Sequence, residues 1–477
     1  MGNSEKTKAI SRIESLLDAG SFIEIGKEIT ARATDFNLKE VETPGDGVIT
    51  GYGVIDQNLV YVYSQDAAVL GGSIGEMHAR KITAIYDMAM KMGAPVIAFL
   101  DSAGLRLQEA ADALEAFGSI FKKQTMACGV VPQISAVFGS CGGGLAVSSA
   151  LADFTFMESQ GKLFINSPNA IAGNAKSICD TSSAEFQARE SGAVDYIGSE
   201  AEIIGRIRQL VSILPGNNKD SGPCSENVDD LNRLTPAISG AYEDTAVLLT
   251  QLSDGGQFIE TKRDFAKDMV TGFIKLNGYT VGAVANRSKI YAAQGEAEPV
   301  SDGSLSASAA GKAADFIRFC DAFSIPLLTL TNINGFAATK DNERNLSREA
   351  ARLVYAFADA EVAKVNVIIG KAYGTAYQIM NSKSLGADIV YAWPDVQIGM
   401  MEAGMAAKII YAEADVQTIK EKTAEYQELQ TSPLAAARRG FVDSIIAPEE
   451  TRKYLIGAFE MLYTKREGRP AKKHGAV

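Results

Sequence analysis

Two related stretches decide the fold: GAPVIAFLDSAG at Gly93–Gly104 and SIPLLTLTNING at Ser324–Gly335. Each is a short apolar run that ends in a glycine-containing turn, and their prolines and last glycines are both 231 positions apart. Further along, Gly139 in ISAVFGSCGGG and Gly370 in VNVIIGKAYGT keep the same separation of 231 positions. One constant separation across these features indicates that the chain contains two copies of one structural unit.

Around these stretches, apolar β-rich runs alternate with helical patterns. PVIAFLD and PLLTLT are followed by the helical segments LQEAADALEAFGSIFKKQTMA and LSREAARLVYAFADA, and then by the buried-strand patterns PQISAVFG and KVNVIIG, each ending at a glycine. Strands that alternate with helices of this length are typical of βαβ crossovers. We therefore predict an α/β fold with mostly parallel sheets, preceded by antiparallel strands in GVITGYGVIDQNLVYVYSQD.

A linker separates the two copies. The segment Pro215–Pro236, PGNNKDSGPCSENVDDLNRLTP, is rich in Pro, Gly, Asn and Asp, which disfavour both helices and strands. We therefore predict an N-terminal domain at residues 1–225 and a C-terminal domain at residues 237–477.

The composition excludes several classes of function. A net charge of −12 without a basic stripe argues against a nucleic-acid-binding protein. The sequence holds only two histidines, His78 and His474, so neither a Ser-His-Asp triad nor a multi-histidine metal site is expected, and we predict no metal. Because no CxxC pair occurs and no apolar stretch reaches the roughly 20 residues that cross a bilayer, we expect a cytoplasmic protein.

Glycine-containing turns recur at the carboxyl ends of the predicted strands, where α/β folds place ligands. They lie at Asp101–Gly104 and Gly139–Gly144 in the first copy, and at Asn332–Phe336 and Gly370–Tyr377 in the second. Glycine lets successive backbone N–H groups come close to a ligand, and a helix that begins there adds positive dipole character. Such turns suit a thioester oxygen that becomes negatively charged, although glycines at strand ends can also serve only to turn the chain.

Several motifs carry a resemblance to a known family. YSQDAAVLGGSIGEMHARKI, DSAGLRLQEAADAL, PQISAVFGSCGGGLAV, FIRFCDAF, GKAYGTAY and LGADIVYAWP resemble carboxyltransferase subunits of biotin-dependent propionyl-CoA, acetyl-CoA and related acyl-CoA carboxylases, and of anaerobic acyl-CoA decarboxylases. The resemblance extends from Ile13 to Leu462. It implies that each half is a crotonase-like domain, that the subunits form hexamers, and that each active site joins the first half of one subunit to the second half of its partner.

The resemblance also assigns roles to residues. Gly143 and Gly144 match the amide pair that holds the acyl-CoA carbonyl, and Thr375 and Ala376 match the pair that holds the biotin ureido oxygen. The other residues assigned to the acyl-CoA side are Ser102, Ala103, Gly104, Gly142 and Gln378. The other residues assigned to the biotin side are Gly335, Phe336, Tyr373 and Gly374.

The implied reaction moves a carboxyl group between carboxybiotin and a short-chain acyl-CoA of the propionyl/methylmalonyl, acetyl/malonyl or glutaconyl type. The cofactor supplies the basic chemistry and the protein supplies positioning and dipoles, which agrees with the scarcity of histidine. Biotin would arrive on a biotin carboxyl carrier protein, and the further partners would be a biotin carboxylase or membrane decarboxylase subunits. The direction and the acyl group stay open.

The second half departs from the family pattern at five positions. They are Asn334 in place of proline, Gly370 in place of arginine, Thr375 in place of glycine, Gln378 where propionyl-type enzymes often have aspartate, and Glu402 in MMEAGMAA. Two alternatives therefore remain: a biotin-independent crotonase-type acyl-CoA lyase or hydrolase, with Glu109 or Glu402 as its acid or base, and a non-catalytic CoA-binding assembly subunit.

The tetrapeptide AMKM at Ala89–Met92 equals the sequence at which biotin is attached in carrier domains. Carrier domains place this motif at a hairpin tip, whereas the pattern here predicts an amphipathic helix that leads into a strand. We therefore predict that biotin is not attached to this chain.

Overall fold

A computed structural model of the protein describes residues 7–32, 42–220, 222, 227, 229–291, 297–470 and 474–475. The chain divides into two compact units, Met1–Pro223 and Cys224–Val477, which we call unit 1 and unit 2. The predicted domain limits at residues 225 and 237 stay predictions, and residue 225 lies outside the described residues. Within the described ranges, no helix is long and apolar enough to cross a membrane.

Unit 1 alternates strands with helices along most of its length. Its strands are β1 (Ile23–Ile25), β2 (Val48–Ile55), β3 (Asn58–Gln65), β4 (Val96–Leu100), β5 (Gln133–Val137), β6 (Ser140–Gly142), β7 (Phe154–Glu158), β8 (Lys162–Phe164) and β9 (Tyr196–Gly198). Its helices are α1 (Lys8–Leu16), α2 (Glu76–Met92), α3 (Ala110–Ala127), α4 (Gly144–Ala150), α5 (Ala184–Arg189) and α6 (Glu200–Ile213).

Unit 2 repeats this order and adds further elements. Its strands are β10 (Phe258–Thr261), β11 (Met269–Leu276), β12 (Tyr279–Asn286), β13 (Lys289–Tyr291), β14 (Ala297–Pro299), β15 (Ser304–Leu305), β16 (Leu327–Ile333), β17 (Gly335–Phe336), β18 (Lys364–Tyr373), β19 (Ile389–Ala392), β20 (Gln397–Gly399) and β21 (Ser444–Ile445). Its helices are α7 (Thr245–Leu252), α8 (Ala307–Ala322), α9 (Lys340–Glu343), α10 (Leu346–Asp359), α11 (Gly374–Gln378), α12 (Ala403–Ile410), α13 (Val416–Tyr426), α14 (Pro433–Arg438) and α15 (Thr451–Leu462).

The main sheets of the two units have equivalent strand orders, β1-β2-β3-β4-β5-β7-β9 in unit 1 and β10-β11-β12-β16-β18-β19-β21 in unit 2. In each sheet the first three strands pair antiparallel and the later pairs are parallel. A small parallel pair follows, formed by β6 with β8 in unit 1 and by the end of β18 with β20 in unit 2. The predicted duplication and the mostly parallel α/β architecture are therefore confirmed.

Helices cover the parallel strands, and because the strands are buried beneath them, their residues are mostly apolar. β4 and β5 are buried along their whole lengths, as expected for strands that are covered on both faces. From α2, Ile82, Ile85 and Tyr86 join the core cluster that includes Val96 and Leu100 of β4. α2 crosses from β3 to the parallel strand β4, which is the crossover connection that a parallel pair requires.

The duplication extends to individual buried contacts. Lys81 on α2 and Lys312 on α8 are 231 positions apart, and both are buried. The Nζ atom of Lys81 donates to the Gly45 carbonyl at 2.9 Å, and that of Lys312 donates to the Met269 carbonyl at 2.7 Å. Burial lowers the pKa of Lys81 to about 8 and that of Lys312 to about 7. Each lysine holds the chain at the start of an antiparallel hairpin. We therefore assign these lysines a structural role and not a catalytic one.

The structure differs from the prediction where the second copy's strand ends. The pattern predicts that KVNVIIG ends at Gly370, whereas β18 continues to Tyr373 because its last residues pair with β20. In unit 1 the equivalent path is divided into β5 and β6. A Cβ atom at Gly370 would overlap the Asn332 side chain, so glycine at this position allows close packing and not only a turn.

The start of α3 carries a strained residue and provides a test of the fold. Ala110 has φ +44° and ψ −115°, a conformation that side chains disfavour at a cost of order 1–3 kcal/mol. We expect Ala110→Gly to raise the free energy of unfolding by about 1 kcal/mol in urea denaturation, because relief of strain outweighs the added chain entropy. The matched control is Ala111→Gly, one residue further into the helix, which should lower the free energy of unfolding by about 1 kcal/mol. Equal effects of the two changes on the free energy of unfolding would contradict the proposed strain at Ala110.

Candidate active site

In unit 1 the glycine-rich turn leads from β5 through β6 into α4. Gly143 has φ +60° and ψ −126°, in the region that favours glycine. Gly144 needs glycine for a different reason, because a Cβ atom there would overlap the ring of Phe117. Gly142 packs in the same way against Phe164, so each glycine of this turn has its own physical requirement.

The two amides predicted to hold the acyl-CoA carbonyl are not equivalent. The N–H of Gly143 donates to the carbonyl of Phe164 at 2.8 Å. Gly144 is the first residue of α4, and the first N–H groups of a helix have no acceptor inside the helix. The N–H of Gly143 is thus already hydrogen-bonded within the protein, whereas the N–H of Gly144 has no acceptor inside the helix.

The loop Asp101–Arg106 lies beside this turn, since a Cβ atom at Gly139 would overlap the Asp101 carboxylate. Ser102 is buried, and its hydroxyl accepts the N–H of Gly104 at 3.1 Å. The N–H of Ala103 donates to the Gly71 carbonyl at 2.9 Å. The structure therefore brings Ser102, Ala103 and Gly104 to the turn, with the amides of Ala103 and Gly104 already hydrogen-bonded within the protein.

A buried charged cluster supports this loop. Arg106 contacts Asp46 and Glu109, each at 2.7 Å, and all three side chains are almost fully buried. The second carboxylate oxygen of Glu109 accepts the N–H of Glu76 at 2.6 Å. Neither Arg106 nor Glu109 can therefore reach a ligand, although the sequence left Glu109 open as an acid or base. Asp46 is distant in sequence, and no motif signalled its role.

His78 belongs to the same cluster. Its Nδ1 lies 2.9 Å from the carbonyl oxygen of Asp46, and its Nε2 lies 3.3 Å from the Gln65 amide. Burial lowers the pKa of His78 to about 3. The one histidine inside the fold is therefore neutral and structural, which agrees with the expectation that the chemistry does not use histidine.

Unit 2 presents an equivalent helix, α11, at the end of β18. Gly374 has φ +62° at its start, and Thr375 and Ala376 follow in the first turn, whose N–H groups lack acceptors inside the helix. β17, formed by Gly335 and Phe336, lies against α11. The structure thus brings together the predicted biotin-side residues.

Two tyrosines flank α11. The Tyr373 hydroxyl donates to Oε1 of Gln397, and burial raises the pKa of Tyr373 and of Tyr377 to about 12. Both hydroxyls therefore remain protonated near neutral pH. They can donate a hydrogen bond but cannot act as bases.

Gln378 is exposed on α11, one turn beyond Thr375. Its Oε1 accepts hydrogen bonds from the hydroxyls of Ser382 at 3.1 Å and Ser384 at 2.7 Å. The side-chain orientation of Gln378 is therefore fixed, with its amide NH₂ group directed away from these serines.

A cavity of about 450 Å³ adjoins α11. Its lining residues are Gly374, Thr375, Tyr377, Gln378, Ile398, Gly399, Met400, Tyr426, Gln430, Ala436, Arg439 and Phe441. The guanidinium of Arg439 donates to the carbonyls of Ala435 and Leu429, so it closes one wall. Sequence reasoning missed the wall contributed by residues 426–441, because the sequence places no glycine turn or motif there.

Comparison with known proteins decides the family. Residues 3–477 match the model of the carboxyl transferase domain. The chain belongs to the carboxyl transferase family. The family, the enzyme class and the carboxyltransferase function predicted from the sequence are thereby confirmed.

Individual relatives agree with this carboxyl transferase assignment. The chain is 41% identical to the propionyl-CoA carboxylase beta chain of Roseobacter denitrificans, covering 99% of this chain and 94% of that one. It is 40% identical to the methylmalonyl-CoA decarboxylase subunit alpha of Propionigenium modestum, covering 99% and 93%. The crystal structure of transcarboxylase 12S with hydrolysed methylmalonyl-CoA bound has a TM-score of 0.92 at 35% identity, covering 98% and 92%. The predicted pair of crotonase-like domains is confirmed, whereas the roles of single residues stay predictions.

The buried histidine of this carboxyl transferase gives a pH prediction. The unfolded chain protonates His78 near pH 6.5, whereas the folded protein does so only near pH 3, so unfolding takes up a proton between these values. The free energy of unfolding should therefore fall as pH drops below about 6.5, by up to about 1.4 kcal/mol per pH unit from this group. Denaturant titrations between about pH 7.5 and 5.5 measure the slope.

The variant His78→Gln should flatten this slope, because the titrating group is gone while an amide remains to bond Asp46. The matched control is His474→Gln, at the exposed histidine near the C-terminus, which should leave the slope unchanged. A His78→Gln protein with the slope of the unmodified protein would contradict the assignment of the acid sensitivity to His78.

Proposed function

We propose that the protein is the carboxyltransferase component of a biotin-dependent acyl-CoA carboxylase or decarboxylase. The observation that carries the proposal is the paired arrangement of α4 and α11, two short helices that begin at glycine turns and follow equivalent strands in one chain of this family. A transfer between a thioester and a ureido group has two oxygens to stabilise, and two such helices supply one set of N–H donors for each.

The acyl-CoA carbonyl belongs, in this proposal, to unit 1. Gly144 donates its N–H, Gly143 sets the turn, and Gly142 allows the approach of β8. Ser102, Ala103 and Gly104 form the side of the acyl-CoA site that faces this glycine turn. The relatives named for propionyl-CoA and methylmalonyl-CoA support a short acyl chain with three carbons before carboxylation.

The biotin side belongs to unit 2. The cavity beside α11 fits biotin, because its volume of about 450 Å³ and its apolar and aromatic walls suit a compact bicyclic ring. Thr375 and Ala376 would donate N–H groups to the ureido oxygen, with Tyr373, Gly374, Gly335 and Phe336 around them. When bound, biotin supplies the carboxyl group for transfer and a basic ring atom. The protein holds both partners and excludes water, and the same arrangement serves carboxylation and decarboxylation.

Biotin is carried, we propose, by a separate biotin carboxyl carrier protein. Lys91 of the AMKM sequence lies in the last turn of α2, a helix and not a hairpin tip, so attachment at this lysine is not expected. A biotin carboxylase or membrane decarboxylase subunits remain the further partners. A cytoplasmic location is part of the proposal and rests on the sequence alone.

The active site is proposed to be shared between subunits of a homo-hexamer. The transcarboxylase 12S structure is described as a hexamer assembly. Each unit here exposes large apolar side chains, including Leu107 and Ile165 in unit 1 and Met400 and Ile409 in unit 2. Where such side chains form a contiguous patch, they mark protein interfaces. Unit 1 of one subunit would thus face unit 2 of its partner.

The two alternatives have less support. A biotin-independent lyase or hydrolase needs an acid or base at the acyl carbon, and Glu109 is fully engaged with Arg106 and the Glu76 amide. Glu402 is exposed at the start of α12 and remains its candidate. A non-catalytic subunit would bind acyl-CoA without turnover, which the next experiment distinguishes.

The function is tested by replacing Gly143. We expect Gly143→Val to lower avidin-sensitive carboxyl transfer between methylmalonyl-CoA and a biotinylated carrier by roughly a hundredfold or more, because the turn can no longer aim the Gly144 amide. The matched control is Gly20→Val, which also puts a valine at positive φ, +74°, at an exposed position outside the glycine turns. It should lower the free energy of unfolding but keep normal turnover. Avidin-insensitive turnover would instead support the biotin-independent alternative.

The shared site is tested by complementation. A subunit disabled by Gly143→Val and a subunit disabled by Ala376→Val should recover activity when mixed under conditions of subunit exchange. Isologous contacts create two sites at each dimer, so a mixed dimer combines one intact unit 1 with one intact unit 2. Confirmed exchange without recovered turnover would contradict a shared site and favour pairing within one chain.

A further inference from the structure

A polar residue lies in the middle of the unit 2 sheet, where an apolar residue is expected. Asn366 is fully buried on β18, between Thr329 on β16 and Val390 on β19. Parallel strands covered on both faces are normally near-continuous apolar runs. A buried amide costs free energy unless its hydrogen bonds are made, so its partners show what it does.

The partners of Asn366 lie at the end of α11. Its Nδ2 donates to the carbonyl of Met380 at 3.2 Å and to that of Asn381 at 3.0 Å, two and three residues after the helix ends at Gln378. Its Oδ1 accepts the Thr331 hydroxyl at 2.8 Å. The Asn381 side chain in turn donates to Thr329 Oγ1 at 3.1 Å. The end of α11 is thus fastened to two neighbouring strands.

In unit 1, buried hydrogen bonds also attach the short helix α4 to neighbouring strands, but they come from different side chains. The residue 231 positions before Asn366 is Ser135, buried on β5. Its hydroxyl lies 2.9 Å from that of Thr155 and 3.2 Å from that of Ser149, in the last turn of α4. The Thr155 hydroxyl donates to the Ser149 carbonyl at 3.0 Å. Hydroxyl groups here replace the amide of unit 2.

We propose that these helix-support residues, Asn366 in unit 2 and Ser135 with Thr155 in unit 1, are positioning residues that set the direction in which α11 and α4 present their first N–H groups. α11 has five residues and α4 has seven, and helices this short are not stable without contacts to the rest of the protein. From Gly374 to Gln378 the helix is about 6 Å long at 1.5 Å per residue, so a tilt of about 10° moves the first amides by about 1 Å. A displacement of that size can reduce a rate by about a hundredfold.

The identity of the two substrates in the following test rests on the proposed function. Asn366→Leu keeps the side-chain shape and removes both donors, and Thr155→Val does the same for the hydroxyl in unit 1. The matched control is Thr261→Val, which removes a buried hydroxyl on β10 that bonds Thr271 on β11. Turnover is measured with methylmalonyl-CoA as donor and free biocytin as acceptor.

For Asn366→Leu we expect kcat to fall by roughly 10- to 100-fold, and KM for biocytin to rise by more than KM for methylmalonyl-CoA, because Gln378 is the one residue of α11 that is assigned to the acyl-CoA side. For Thr155→Val the fall in kcat should come with a raised KM for methylmalonyl-CoA and an unchanged KM for biocytin. Thr261→Val should behave as the unmodified protein. A general loss of stability would not separate the two substrates in this way.

Amide hydrogen exchange over residues 374–382 tests the support without any substrate. Exchange should accelerate in Asn366→Leu and not in Thr261→Val. An Asn366→Leu protein that folds with normal exchange and normal kinetics overturns the inference. If the unmodified protein shows no avidin-sensitive turnover with a biotinylated carrier, the proposed function fails, whereas the exchange measurement still decides the support.

A milder variant covers the case in which Asn366→Leu does not fold. Thr331→Val removes the hydroxyl that holds Asn366 Oδ1 and leaves the amide donors in place. It should show the same direction of change in exchange and in KM for biocytin, with smaller size. Unchanged exchange and kinetics in Thr331→Val would then overturn the inference.

Discussion

A short helix that follows a buried strand has N–H groups at its start that find no acceptor within the helix. The rest of this structure keeps such N–H groups, at the starts of α4 and α11, in place at the ends of two strands. Gly143 and Gly374 turn the chain through positive φ, so that α4 and α11 begin immediately. The sheets, the covering helices and the buried polar contacts hold those two starting points in place. The proposed catalysis by backbone groups would thus require a rigid scaffold more than particular side chains at the site.

Much of this architecture could be predicted from the sequence, because its causes are local or repeated. Buried parallel strands need apolar runs, and a constant separation of 231 positions shows the duplication without any structure. The acceptor of the Gly143 amide could not be predicted. It is the carbonyl of Phe164, which reaches the turn only because β8 pairs with β6. The burial of Arg106 could not be predicted for the same reason, since it depends on Asp46 and Glu109 meeting it in space.

The two units show which features the backbone requires and which it leaves free. Lys81 and Lys312 keep one side chain at equivalent positions, because a buried ammonium group is needed to satisfy several carbonyls at once. Asp101 and Asn332, also 231 positions apart, differ in charge. Asp101 pairs with the buried Arg12, whereas the Asn332 amide oxygen accepts the N–H of Lys371. Ser135 and Asn366 differ further still. The backbone path is shared, and each unit satisfies its buried polar groups separately.

The proposed use of amides in place of side chains at α4 and α11 would determine how this site responds to its surroundings. A backbone N–H has no protonation equilibrium in the physiological range, so the donors keep one state while the medium changes. Neither can a truncation of a side chain to alanine delete them. A scan of the chain by such truncations would therefore identify the buried support of the helices and leave the donors themselves unseen, except at the glycines, where alanine adds an atom instead of removing one.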